Sequence, residues 1–165
     1  HVVMKVADIE RSVAFYTQLL GFRVSDAYPE SMMPHRMVFL RYDSDHHGIA
    51  LIGGAGGPST GAELHHVAYE VGTLDEVFLA RAHLENYGVE IIFEGRRRAG
   101  QQIAIEFKDP DDHMVEICWC MDQIAPHEIS RPPEDWRAAA SLEDAVNDPP
   151  PGQDITLLEP SLLRR

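Results

Sequence analysis

The chain has 165 residues, 44% of them hydrophobic and 25% charged, with a formal net charge of −13; this is the composition of an ordinary soluble globular domain. The acid surplus excludes nucleic acid and anionic membrane surfaces as partners, because both require an excess of Lys and Arg. No apolar run approaches the roughly 20 residues of a membrane span and no signal peptide is visible; with His1 in place of Met at the first position, the natural N-terminus is expected further upstream.

In chain order, His1 to Val6 reads as a strand, followed by a helix opened by Asp8 with an apolar stripe of Ile9, Val13, Tyr16 and Leu20 and a stop at Gly21. Phe22 to Ser25, Met37 to Tyr42 and Gly48 to Ile52 are strand-like, and "GGAGGPSTG" from Gly53 is a flexible connector. The same order then returns. His66 to Val71 is a strand, Thr73 and Glu76 make a capping box, and the helix from Leu74 ends at Gly88. Val89 to Phe93, Gln102 to Phe107 and Met114 to Trp119 are the remaining strands. "HVVMKVADIE" matches "HVAYEVGTLD", and "DHHGIALI" matches "DDHMVEIC". The expected architecture is therefore α+β: two paired βαβββ modules, 1–53 and 63–120, joined by a 54–62 linker into one domain over 1–120. Residues 121–165 form a C-terminal arm, with one proline-started helix expected around Trp136 to Val146.

Two histidine doublets, His46–His47 and His65–His66, stand where strands begin. Strand alternation separates their members. Val2, Met4 and Val6 oppose His1, Val3 and Lys5; Val67, Tyr69 and Val71 oppose His66, Ala68 and Glu70; Val115, Ile117 and Trp119 oppose Met114, Glu116 and Cys118. With the bulkier apolar face under a helix each time, the other face carries His1, His66 and Glu116. Two imidazoles and one carboxylate are the donor set of a 2-His-1-carboxylate metal site with open positions. The repeat places Ala50 opposite Glu116, so the first module lacks the matching carboxylate. His65, His35, His46, His83, His113 and His127 read as surface or edge residues. Cys118 and Cys120 read as reduced packed thiols, which suits a cytoplasmic compartment. Exposed sheet edges and the arm around Trp136 suggest a homodimer or higher homo-oligomer.

The two βαβββ units, the ligand set and the stretches "HVVMKVADIERSVAFYTQLLGFRVSD", "DHHGIAL", "LHHVAYEV", "EGRRR" and "MVEICW" resemble the vicinal oxygen chelate superfamily. Within it they are similar to the catalytic domain of type I extradiol catechol dioxygenases of the dihydroxybiphenyl type, over about residues 1 to 120. The resemblance implies a curved mixed-sheet barrel around a metal held by His1, His66 and Glu116. Fe(II) is the expected ion, with Mn(II) and Zn(II) as alternatives, no organic cofactor, and an aromatic diol and dioxygen as substrates. It also implies His47 as the acid-base histidine. Arg97 stands where the family commonly has a second histidine, and Glu106 and Phe107 where it has a tyrosine; Arg97 would favour a catecholate anion electrostatically. The alternatives are a glyoxalase- or epimerase-like metal-dependent lyase or isomerase, and a non-catalytic resistance-type binding module.

Overall fold

Each βαβ start follows from local chemistry. Val2–Lys5 forms β1, and Asp8 then caps the helix α1 (Ile9–Ala14) by accepting from the Arg11 N–H. The helix widens into a π-turn over Phe15–Leu19 and ends at Gly21, whose φ of 73° an L side chain would resist. The predicted stripe is shifted: Ser12 and Tyr16 are the fully buried positions, while Ile9, Val13 and Leu20 are half-buried. The cause is polar. Buried Asp111 accepts from the Ser12 hydroxyl at 2.7 Å, and buried Asp109 from the Tyr16 hydroxyl at 3.1 Å.

The strands β2 (Arg23–Tyr28), β3 (Met37–Arg41) and β4 (Ile49–Ile52) complete a four-stranded mixed sheet in the order β1-β4-β3-β2. The second sheet repeats it with β5 (Val67–Glu70), β6 (Ile91–Arg96), β7 (Ile103–Lys108) and β8 (Met114–Trp119), in the order β5-β8-β7-β6. The registers correspond: Val3 pairs with Ala50 as Ala68 pairs with Glu116, each across a parallel ladder. Both β2 and β6 carry a bulge, between Val24 and Asp26 and between Ile91 and Phe93. The α2 helix (Leu74–Asn86) has the expected Thr73–Glu76 capping box and buries Leu74, Val77, Phe78 and Leu84.

The structure, a computed structural model, describes all residues except Glu63, Arg164 and Arg165. It divides into two compact units, His1–His65 with Lys108–His113 and His66–Phe107 with Met114–Arg165. The turn 108–113 thus groups with the first unit although it lies in the second sequence repeat. The carboxylates that hold Ser12 and Tyr16 lie on this turn. His113, expected at an edge, is instead only 10% exposed in its side chain and bonded to Asp109.

The arm departs from the expected single helix. A short 3-10 turn at Pro133–Asp135 gives way to extended chain at Trp136, and the helix α3 (Leu142–Asn147) starts at Ser141, which caps the Asp144 N–H. The break is made by pairing: Arg96 and Ala139 exchange both backbone hydrogen bonds at 3.0 and 3.1 Å. Leu142 and Ala145 are buried, and the Arg96 guanidinium donates to the carbonyls of Arg137, Asp148 and Ala145. Further on, Asp75 accepts from the N–H groups of Leu158 and Glu159 at 2.9 and 2.7 Å. The arm is therefore an ordered part of the second unit. Among the described residues no helix is long and apolar enough to cross a membrane.

Candidate metal centre

In the second unit, the parallel β5–β8 register puts Ala68 beside Glu116, and His66 lies two residues earlier on the same face. His66 Nε2 lies 3.3 Å from Glu116 Oε2, in keeping with the shared face expected from strand alternation. The Glu116 side chain is only 3% exposed, and the ion pair it makes among the described residues is with His66. A buried carboxylate supported by an imidazole is a mixed N,O donor set that suits a divalent cation. Gln102 sits 3.5 Å from the other Glu116 oxygen, placed to orient it. Cys118, next along that face, has its thiol pushed up to about 12, mainly by burial and then by Glu116 and Glu70. It stays protonated at neutral pH and is not a thiolate donor.

The rest of this face can be followed across the sheet. Gln102, just before β7, and Glu106 on β7 fall on one face, and Glu106 pairs in register with Phe93 on β6. Arg97 donates through Nε and Nη2 to one Glu106 oxygen at 3.0 and 2.6 Å, and its guanidinium lies 3.5 Å from the Phe93 ring centroid. Arg97 is thus half of an ion pair, not an isolated cation. The two polar positions of "QIAIEF", Gln102 and Glu106, gave a usable sequence signal, since alternation sends both to the face of Glu116.

In the first unit, His1 precedes β1 on the face of Val3 and Ala50. His47 reaches it: the two rings have centroids 4.3 Å apart. Strict alternation would have turned His47 away, but the chain bends through Tyr42–His46 before Gly48. At Gly48 a Cβ would overlap the ring of the exposed Tyr42, so a larger residue there would require that ring to swing aside. Phe39 lines the same spot, with its centroid 5.0 Å from that of His47. His46, expected at the surface, is exposed, but its Nδ1 contacts His47 Nδ1 at 3.0 Å and its Nε2 lies 3.6 Å from Asp26 on the bulged β2. His1 and His47 therefore form one pair, in the first unit, and His66 and Glu116 another, in the second. Among the described residues no three His, Cys, Asp or Glu side chains are grouped to hold a metal ion.

Residues 1–117 match the model of the glyoxalase/bleomycin resistance protein/dioxygenase superfamily. The chain belongs to this superfamily. It is 31% identical over 122 residues to the biphenyl-2,3-diol 1,2-dioxygenase of Paraburkholderia xenovorans, covering 72% of this chain and 40% of that protein. To the 3-methylcatechol 2,3-dioxygenase of Pseudomonas putida it is 26% identical, over 77% of this chain and 43% of the relative. It thus spans about two fifths of the length of these curated relatives. The fold is shared with the fosfomycin resistance protein FosX from Listeria monocytogenes, solved with Mn(II) and 1S,2S-dihydroxypropylphosphonic acid. There the TM-score is 0.56 at 20% identity, over 72% of this chain and 86% of that one.

Proposed function

We infer that the chain is the catalytic part of an extradiol ring-cleaving dioxygenase for an aromatic diol, with a divalent metal, Fe(II) in the first instance, held by His1, His66 and Glu116. The observation that carries this reading is the His66–Glu116 pair on one sheet face, with its register repeated around His1 in the first unit. The identity to two diol-cleaving dioxygenases supports the reaction class. When bound, the ion would supply Lewis-acid activation of the diol and a site for dioxygen.

This chain's own residues would do the rest. Glu116 and the two imidazoles would hold the ion, and Gln102, 3.5 Å from Glu116, would orient the carboxylate. His47, beside His1, would be the group that takes or gives a proton at the diol oxygens, because a neutral imidazole carries one acceptor and one donor nitrogen. Arg97, anchored by Glu106, keeps a positive edge on the face where a catecholate would lie, and it cannot exchange a proton there. The second reading is a metal-dependent lyase or isomerase, favoured by one observation: Glu106 is a second carboxylate on the Glu116 face.

The test is oxygen uptake and ring-fission absorbance on iron-loaded protein with a panel of catechols. A diol-dependent uptake that falls roughly a hundredfold to ten-thousandfold in His47→Gln supports the reading. No uptake with any catechol favours the lyase class.

A further inference from the structure

The second unit holds a concentration of positive charge of which the diol reading uses Arg97 alone. Arg96, Arg97 and Arg98 are consecutive at the end of β6, in a chain of net charge −13. Together with Phe93 and the arm residues Ala138–Ala140 they line a cavity of about 290 Å³. The three cations are compensated unequally. Arg97 has Glu106. Arg98 is exposed and makes no ion pair among the described residues. Arg96 is 1% exposed, and its bonded partners are the three carbonyls of Arg137, Asp148 and Ala145. A buried cation ordinarily has an anion in contact with it, because carbonyl dipoles return only part of its lost hydration. The Asp148 carboxylate favours the Arg96 charge only from beyond ion-pair distance, and burial lowers the Arg96 pKa more than that charge raises it. The three arginines that contribute to the wall of this cavity are therefore contacted by one carboxylate, that of Glu106. The small side chains of Ala138–Ala140 keep the opposite wall short.

We propose that this cavity is an oxyanion-binding site, taking a carboxylate, sulfate or phosphate group between Arg97 and Arg98 with the buried charge of Arg96 behind it. Guanidinium groups suit this role, because their planar N–H edges bond two oxygens of one anion at once. Arg97 Nη1 is available for such a bond, since Glu106 occupies Nε and Nη2. The site lies on the sheet that carries Glu116, two strands away in the order β8-β7-β6. At about 4.8 Å per strand, β6 and β8 are about 10 Å apart across the sheet. This spacing suits an anionic substituent on the side of an aromatic ring away from its hydroxyls. In that form the proposal rests on the dioxygenase reading and names the substrate class: a diol with an acidic side chain. A free inorganic oxyanion is the other source of the same chemistry.

The experiment titrates the full chain with inorganic phosphate by calorimetry at constant ionic strength in chloride, for wild type and Arg98→Gln. In parallel, anaerobic metal-loaded protein is titrated with a catechol carrying an acetate side chain and with its ethyl counterpart. Saturable phosphate binding, weakened about tenfold in Arg98→Gln by loss of a charge-assisted hydrogen bond, supports a site for a free oxyanion. A tenfold loss confined to the acetate-bearing catechol, with the ethyl compound unmoved, assigns the site to the substrate's side chain. Phosphate binding with no catechol binding at all keeps the cavity and removes the dioxygenase reading. If phosphate and the acid catechol bind Arg98→Gln as well as wild type, or neither binds wild type, the proposal is overturned.

Discussion

Gly95→Ala is the change that most directly probes the seating of the arm. Gly95 has a φ of 126°, and a Cβ there would overlap the Ala139 carbonyl oxygen of the arm. Two costs follow. A backbone conformation that only glycine adopts freely costs about 1–3 kcal/mol for alanine. Displacing Ala139 removes the two Arg96–Ala139 hydrogen bonds, at about 1 kcal/mol each. The sum is about 3–5 kcal/mol, which for a domain of this size is a melting shift of about 6 °C or more. The molecule has an escape: if the arm docks by less than this, it lifts off and the global cost stops at the docking free energy. Trypsin then cuts after Arg137, whose guanidinium in the seated arm donates to the carbonyls of Glu134 and Trp136. Thermal melting and timed trypsin digestion are read together. A variant that melts within about 1 °C of wild type and keeps its cleavage rate would refute the packing of the arm over Gly95.

Ser12→Val should cost about 2–3 kcal/mol in urea midpoint analysis, because it strips a 2.7 Å donor from the buried Asp111 carboxylate; a neutral effect would remove Asp111 as the anchor of α1. Thr73→Ala should cost about 1 kcal/mol through loss of the α2 cap, checked in the same assay. The His113 imidazole has its pKa raised, chiefly by its hydrogen bond to Asp109. A raised folded value means that this stabilisation is complete below the free-imidazole range and is lost as pH rises through the folded pKa. The stability gap between wild type and His113→Gln should therefore be widest near about pH 6 and narrow toward about pH 9; a gap independent of pH contradicts the ion pair.

Periodicity carried well where one face of an element is apolar and the other is not. The eight strands, the capping box and the His66–Glu116 pair were legible because strand alternation fixes which side chains meet. The register equivalence of Ala50 and Glu116 was legible from the internal repeat alone. The burial of Ser12 was not, since its partner Asp111 lies 99 positions away and a serine in a helix reads as solvent-facing. His113 was misplaced for the same reason: its environment is set by Asp109 folding back within the turn 108–113. The arm read as a helix because Ala138–Ala140 have high helix propensity. Pairing of Ala139 with the β6 edge overrides that propensity, and no local pattern announces it. The bend over residues 42–46 that returns His47 to His1 has no local sequence pattern, and only the folded chain displays it.

The proposed metal centre is tested by the metal content of wild type and Glu116→Ala after anaerobic loading with Fe(II) and desalting, with circular dichroism on the same samples. Loss of Glu116 removes the buried carboxylate and leaves the imidazoles without their anionic partner, so tight retention should fail. The expected result is near-stoichiometric metal in wild type and loss of most of it in Glu116→Ala, with the two spectra superimposing. Full metal retention by a folded Glu116→Ala variant would contradict the assignment.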